Sequence, residues 1–429
     1  MKTKVSLLTL LLISTISCPT SAYQADQTRR RKNVESFEMI WKTIKNTHWD
    51  ESLVGDSWSA KRQELLPGIK SSGSNAEARL IMAKLIDSLE QSHFGVISAD
   101  SYEAIEGVKG GNEDVGLTVS LINDQLLVTG VREGSTSEKA GVIPGWQLTK
   151  VRGKQAAELI KQFRNAEHGP QRAETITGLA MRKMLSGGSG KKLKIEFIDA
   201  HDQTRKLNIP CEPPPGRLSK FGNLPPIRVD DETRTYPGNI GYYRFSAFLD
   251  PMRIMPAWRK AVNNPQHKNG FIVDLRGNVG GLAGMTMGMT SAFAAKPSSL
   301  GTMTMKGNKL KFVANPVSKP FTGPVAVLVN EGSISSAEIL AGGLQDLKLA
   351  KVFGSRTAGL AYPSNVMKLP NGDGFQYAIA DYHSASGTRL EKTGVVPDEE
   401  ITLTRELLLA KKDPVLTAAM AWIKSEIQQ

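Results

Sequence analysis

The stretch Pro324-Val325-Ala326-Val327-Leu328-Val329 runs directly into Asn330-Glu331-Gly332-Ser333-Ile334-Ser335-Ser336-Ala337-Glu338. The first six residues form a continuous apolar, largely β-branched run bounded by turn residues. Such a run predicts a strand buried on both faces of a mostly parallel sheet. Beyond Glu338, the residues Ile339, Leu340, Gly343, Leu344 and Leu347 fall on one face of a helix. A strand therefore feeds a turn of small residues, and the turn feeds a helix. Ser335 stands at or near the first turn of that helix. There, unpaired backbone N–H groups and the positive dipole end favour a developing negative charge. This is the setting of a serine nucleophile, although the G-x-S-x-G letters of a hydrolase elbow are absent. An ordinary helix N-cap also asks for serine, so the stretch alone leaves both readings open.

The surrounding C-terminal half follows an α/β pattern. Ile240-Gly241-Tyr242-Tyr243-Arg244-Phe245 and Gly270-Phe271-Ile272-Val273-Asp274-Leu275 read as strands. The second leads into Arg276-Gly277-Asn278-Val279-Gly280-Gly281 and then a Met/Ala helix. G-x-G-x-x-G is not matched, so a dinucleotide loop is not indicated. A turn whose backbone amides point at an anion or oxyanion fits these letters, as does a tight turn without a ligand.

Residues from about 34 to 100 read as helical. Phe37, Ile40, Trp41 and Ile44 have helical spacing, and a second helix opens on the capping box Ser74-Asn75-Ala76-Glu77. It places Ile81, Leu85 and Leu89 on one face and should end near Gln91-Ser92-His93-Phe94-Gly95. His93 thus sits just past a helix end, beside a glycine, where a loop can present it. Packing or capping would use the same histidine.

The segment from about 104 to 200 has a different grain. Asp114-Val115-Gly116-Leu117-Thr118-Val119 precedes a hairpin at Asn123-Asp124 and the strand Leu126-Leu127-Val128-Thr129. Ala140-Gly141, Pro144-Gly145-Trp146 and a helix from about Ala156 follow. This resembles a PDZ domain. Such domains add an extended peptide to a sheet edge and hold its C-terminal carboxylate with backbone N–H groups. Gly116, Leu117, Thr118 and Val119 are the matching loop and strand. A small β-domain that only spaces its neighbours is the plainer alternative. Residues 212–228, rich in Pro and Gly, read as a linker.

The chain has 429 residues, 40% apolar and 22% charged, and a net charge of +12. That composition suits a globular protein of two or three domains. The surplus charge is dispersed apart from Arg29-Arg30-Arg31-Lys32, and no aromatic-interleaved basic stripe occurs. A nucleic-acid partner is not indicated; a basic surface suited to anionic envelope lipids or polymers accounts for the charge. Met1-Lys2-Thr3-Lys4, the apolar run Val5 to Ile16 and Thr20-Ser21-Ala22 form a secretory signal with cleavage after Ala22. Cys18 has Thr15 where a lipoprotein box usually has Leu. Cleavage after Ala22 leaves Cys211 alone, without an internal disulfide. The expectation is an exported protein, periplasmic or secreted. No His/Cys/Glu group has metal spacing, and neither metal nor cofactor is expected.

Taken together, these stretches resemble peptidase family S41, the C-terminal processing and tricorn-like serine proteases. The matching residues are Asp274-Leu275-Arg276-Gly277-Asn278-Val279-Gly280-Gly281, then Ser333-Ile334-Ser335-Ser336-Ala337-Glu338. Gly354 to Gly359 and Thr393-Gly394-Val395-Val396-Pro397-Asp398 follow in the family's order. The resemblance implies an α/β catalytic domain of the ClpP/crotonase-like type at 229–429. Before it come a signal peptide at 1–22, a helical domain at 27–100, a PDZ-like domain at 101–211 and the linker. It also implies peptide-bond hydrolysis on polypeptide substrates, with Ser335 as nucleophile. The processing branch places a lysine 25 residues beyond the serine, but position 360 is Leu, and Lys348 and Lys351 come too early. The tricorn-like branch uses a serine-preceded N-terminal histidine and a late glutamate, which match Ser92-His93 and Glu391. The resemblance therefore implies His93 as base, Glu391 as its orienting partner, Ser92 as a bridge, and oxyanion donors from Gly280 or Gly281 and Ser336. His383 is the competing base. His48, His168, His201 and His267 sit in polar surroundings and read as surface residues. A peptide-binding scaffold whose peptidase site has decayed is the alternative that the missing lysine keeps open.

Overall fold

A computed structural model describes residues 20–99, 113–165, 169–188, 190–220, 226–410 and 412–428. The apolar leader run, Cys18 and His168 lie outside the described residues. Helix α1 (Thr20–Thr47) runs through Ala22, the expected cleavage position. With α2 (Asp56–Ser71) and α3 (Asn75–Asp87) it forms a bundle. Phe37, Ile40 and Ile44 meet Trp58, Ile69, Met82 and Leu85 in one core. The capping box of α3 is stretched by one residue. Glu77 N–H donates to Ser74 Oγ at 3.1 Å, but the Glu77 carboxylate accepts from Gly73 N–H at 2.7 Å. A short strand, β1 (Gly95–Ile97), follows.

The next unit is an antiparallel sheet in the order β2 (Leu117–Ile122), β3 (Gln125–Val131), β4 (Gln147–Val151), β5 (Lys192–Ile198), β6 (Thr204–Pro210). The β2–β3 turn has positive φ at both Asn123 and Asp124 (46° and 64°), as a two-residue type I′ hairpin requires. The expected helix from Ala156 runs to Asn165. A further helix, α4 (Gly169–Met184), lies against β2. Cys211 is buried in this core.

The C-terminal half is built on a six-stranded sheet. Its order is β7 (Asp231–Tyr236), β8 (Ile240–Phe245), β9 (Gly270–Asp274), β10 (Val325–Val329), β11 (Lys351–Gly354) and a two-residue strand at Glu399–Glu400. Only the β7–β8 pair is antiparallel. Every residue of β9 and β10 is buried. Alternation sends Phe271, Val273, Val325, Val327 and Val329 into one core and Ile272, Ala326 and Leu328 into another. Val415, Ala419 and Ile423 of the last helix, α6 (Pro414–Ile427), cover the second face. Helix α5 (Ser336–Asp346) is buried on all sides from Ser336 to Leu344, not on the single face that its spacing suggests. The hairpin Ser298–Met305/Asn308–Ala314 closes over it; a Cβ on Gly343 would meet Leu300 at 2.9 Å.

One hairpin ties this half to the helical bundle. Strands β12 (Ser364–Lys368) and β13 (Gly374–Ala378) pair with each other, and β1 adds to β13 with Gly95 opposite Gln376. Leu369 and Phe375 enter the bundle's core. At the tip, the fully buried Asp373 accepts from Arg79 Nη1 (3.0 Å), Ala99 N–H (2.7 Å) and Asn371 Nδ2 (3.0 Å). The helical bundle is thus completed by residues from far along the chain.

Candidate active site

Ser335 ends the turn after β10 and precedes the first residue of α5. Its backbone has φ 58° and ψ −115°, whereas an N-cap serine keeps an extended backbone. A positive φ is costly for a residue with a Cβ and persists only where its surroundings hold it. Here the Ser335 N–H donates to Leu360 O (3.0 Å) and to Glu338 Oε2 (2.9 Å), and Glu338 N–H donates to Ser335 O (2.8 Å).

The Gly-rich turn after β9 packs directly against it. A Cβ on Gly280 would lie 2.7 Å from Ser335 Cβ and 2.6 Å from Ile334 O, so only glycine permits the approach. The Gly280 N–H donates to Asn278 Oδ1 (2.9 Å), which removes it as an oxyanion donor. Gly281 is exposed beside it, with φ 137°. Ser336 Oγ donates to Gly281 O at 2.9 Å, which clamps this turn to the start of α5. Ser336 is the first residue of α5, where the backbone N–H has no intrahelical acceptor. The turn itself is stiff. Asn278 Nδ2 donates to Phe245 O (2.8 Å), Gly277 N–H to Asn330 Oδ1 (2.9 Å), and Arg276 bridges Asp274 (2.6 Å) to Asp413 (2.9 Å), the N-cap of α6.

Glu338, to which the sequence alone assigns no role, is central to the turn. It is fully buried and accepts from Thr357 Oγ1 (2.7 Å), Gly359 N–H (2.7 Å), Leu360 N–H (3.0 Å) and Ser335 N–H. Burial pushes its carboxyl up to about 7, against the pull of these four donors. The next residue, Ala361, donates its N–H to the buried Glu391 Oε2 at 3.0 Å. Ser335 and Glu391 are therefore held by neighbouring residues of one segment. Burial first, and then the Glu391 charge, raise the phenol of Tyr362 above its usual range.

His93 follows the bundle with φ 60°. Its Nδ1 and Ser92 Oγ are hydrogen-bonded at 2.8 Å. Among the described residues, no hydrogen bond joins the ring to Ser335 or Glu391. Burial pushes the imidazole down to about 4, so the ring is neutral and able to accept a proton at neutral pH. A chain of rings joins the two halves nearby: Phe94 stacks on His48, His48 on Trp49, and Trp49 meets Tyr362 with centroids 4.9 Å apart.

The other histidines divide. His383 lies half-buried on the strand Ala380–Ser384, opposite Thr302, and His201 is exposed. His48 and His267 are not the surface residues that their sequence neighbours suggest, because distant partners satisfy them in the interior. His48 bonds Gln91 Oε1 (2.9 Å), and His267 bonds Thr235 Oγ1 (2.8 Å) and Ala261 O (2.7 Å). Lys351 is paired with Glu399 at 3.0 Å. Among the described residues, no three His, Cys, Asp or Glu converge as metal ligands do.

In the β-rich unit, Gly116 has φ 77°, and Leu117, Thr118 and Val119 open β2, a terminal strand of its sheet. Ser120 of β2 donates to Glu331 Oε1 at 2.5 Å, in the turn that leads to Ser335.

Residues 239–401 match the model of Peptidase family S41. The chain is 25% identical over 413 residues to carboxyl-terminal-processing peptidase 2, chloroplastic, of Arabidopsis thaliana, covering 92% of this chain and 74% of that protein. It is 24% identical over 366 residues to the carboxyl-terminal-processing protease of Synechocystis sp., covering 84% and 79%. Its fold is similar to the solved photosystem II D1 C-terminal processing protease, with a TM-score of 0.60 at 22% identity, over 88% of this chain and 94% of that one. The domain at 239–401, which holds Ser335 and the Gly-rich turn, is a peptidase family S41 domain, and the protein is a serine-type peptidase.

Proposed function

We propose that the protein is an exported endopeptidase that cleaves unfolded or C-terminally exposed polypeptides through an acyl-enzyme on Ser335. His93 takes the hydroxyl proton as Ser335 attacks the scissile carbonyl, and returns it to the leaving amine. Ser92 holds His93 Nδ1, and Glu391 stabilises the imidazolium through it. The N–H groups of Gly281 and Ser336 receive the oxyanion, each donor contributing on the order of 100- to 1,000-fold in rate. Gly280 contributes closeness, not a hydrogen bond. The edge formed by Gly116, Leu117, Thr118 and Val119 captures the extended substrate by strand addition. The leader at 1–22 directs export, and the net charge of +12 favours peripheral attraction to anionic envelope lipids.

The observation that carries this reading is the φ 58°, ψ −115° backbone of Ser335, fixed by Glu338 and Leu360 against Gly280. The decayed-scaffold reading draws on Leu360 at the lysine position and on a His93 ring that, among the described residues, is hydrogen-bonded to Ser92 and not to Ser335. A fluorophosphonate probe with peptide mapping separates the two. Modification of Ser335 that is lost in His93→Ala and kept in His383→Ala supports the peptidase as assigned. Loss in His383→Ala alone moves the base to His383, and no labelling of folded protein leaves the scaffold.

A further inference from the structure

The loop that opens β2 is built as an anion site, and the chain's own carboxylate fills it. Arg132 N–H donates to Gly116 O at 2.9 Å, so Leu117 and Val131 form a non-hydrogen-bonded pair. The N–H and C=O of Leu117 therefore point away from β3, toward the outer edge of β2, which has no partner strand among the described residues. Gly116, in left-handed backbone, donates its N–H out of the β2–β3 ladder, and the Arg132 guanidinium lies 3.4 Å from where a Gly116 Cβ would stand. An amide and a guanidinium converging at a strand end form an anion-accepting nest.

Asp114 occupies that nest. Its Oδ1 accepts from Gly116 N–H at 2.8 Å and from Arg132 Nη1 at 2.6 Å. Arg132 Nη2 also pairs with Glu212 Oε1 at 3.3 Å. Asp114 is fixed there by two backbone hydrogen bonds with Glu212, of 3.0 and 2.9 Å. The Arg132 guanidinium is thus already shared by two carboxylates, and Arg182, the second cation acting on Asp114, is also engaged by its charge. A peptide's terminal carboxylate would find both donors taken and would meet the Asp114 carboxylate in its place. The far part of β2 meets the nucleophile turn through the Ser120–Glu331 bond, so an occupant of this edge runs past the unit toward that turn.

We propose that the outer edge of β2 takes an internal, extended stretch of polypeptide and not a free C-terminus, because Asp114 already fills the anion site at its start. This rests on reading the edge as the substrate-capturing surface. Asp114 is then the residue that sets which part of a substrate is held.

Binding of two fluorescein-labelled probes to the full chain carrying Ser335→Ala tests it by anisotropy. Both have the sequence Gly-Ser-Gly-Ser-Gly-Val-Ala-Leu-Ala-Val, one with a free C-terminal carboxylate and one as the carboxamide. Equal affinity for the two, within about twofold, is expected. Adding Asp114→Ala, which empties the nest, is expected to favour the free acid about tenfold. Asp114→Asn keeps an acceptor on Gly116 N–H, removes the charge and should shift the ratio in the same direction even if the alanine variant does not fold. A preference of the Asp114 protein for the free acid overturns the proposal and leaves edge capture standing, as does a ratio that neither variant moves. Failure of both probes to bind any of the proteins overturns edge capture itself, while labelling of Ser335 still reports on the peptidase site independently.

Discussion

Ser335 donates its backbone N–H to the carbonyl of Leu360 at 3.0 Å. Residue 360 is therefore a backbone neighbour of the hydroxyl-bearing residue, 25 positions further along the chain. A base on a long flexible side chain at 360 starts within reach of the Ser335 hydroxyl, and this chain places a half-buried leucine there. The proton acceptor must then come from another element, and the proposed base His93 lies just before β1, which pairs with β13 of the catalytic half.

Position 360 thus offers a test of the site's geometry. With a fluorogenic peptide substrate, His93→Ala is expected to lower kcat/KM by about 100- to 10,000-fold, the span of general acid–base catalysis. Adding Leu360→Lys should recover at least about tenfold, and only toward alkaline pH, because a lysine must first lose its proton. If the double variant stays as slow as His93→Ala up to about pH 10, nearness of residue 360 to the hydroxyl is not enough to make it a base.

The second prediction concerns Glu338, whose buried carboxylate gathers four donors. Glu338→Gln turns an amide NH2 toward some of them, leaves buried donors unpaired and should cost about 1–3 kcal/mol of stability. Because Ser335 loses one anchor of its φ 58° backbone, kcat should fall while KM changes little. The pH dependence has a definite sign. The folded carboxyl is raised from 4.5 to about 7, so between those values the native state keeps a proton that the unfolded chain has lost. Stability from this group therefore falls as pH rises through that window. Thermal unfolding of wild type and Glu338→Gln across the window isolates it; parallel curves would contradict it.

His93 has the opposite sign. Burial lowers its folded value from 6.5 to about 4, so between those values the unfolded chain binds a proton that the native state does not. Stability falls as pH drops through this window. With His93 as the proposed base, the unprotonated ring is the active form, so kcat/KM should hold down to weakly acid pH and fall with an apparent pKa near 4. A limb near 6.5 instead would mean that the ring is solvated in the working enzyme. In His93→Ala the acid loss of stability should shrink, read as thermal midpoint against pH.

What the sequence disclosed follows from how local each signal is. β9, β10 and the Gly280–Gly281 turn are legible because uninterrupted apolar runs and clustered glycines report on their own neighbourhood. The strain at Ser335 is not legible, since it comes from Leu360 and Glu338 acting together. The single-face reading of α5 failed because the hairpin at 298–314 covers the helix's other side, and helical spacing does not register a distant lid. His48 and His267 looked superficial for the same reason: their partners Gln91 and Thr235 are 43 and 32 residues away. The hairpin β12–β13, which completes the bundle and pairs with β1, follows the site segment and carries no mark of where it docks. The Gly280 N–H bond to Asn278 is different. An Asn two residues before a glycine is a familiar side-chain-to-backbone turn, and that signal was present in the letters.

Asp373 is a strut beside the segment that carries His93, the proposed base. Asp373 is fully buried and holds Arg79 of α3, the Ala99 N–H just beyond β1 and the Asn371 amide. Asp373→Ala leaves the Ala99 N–H unpaired and sends the partly exposed Arg79 guanidinium to solvent, a change expected to cost about 1–3 kcal/mol. The loss should be local at first, because the cores around β9 and β10 do not include this hairpin. Native-state hydrogen exchange should therefore quicken at residues 95–97 and 374–378 while residues 325–329 keep their protection. Since the Ser335 turn is built without the strut, its φ and its hydrogen bonds to Leu360 and Glu338 should survive. The base-bearing loop would be placed less often, so kcat falls with KM nearly unchanged, and Asp373→Asn, which keeps an acceptor for Ala99 N–H, should recover part of the rate. Uniform loss of protection in all three segments would show instead that the hairpin stabilises the whole molecule and does not specifically position His93.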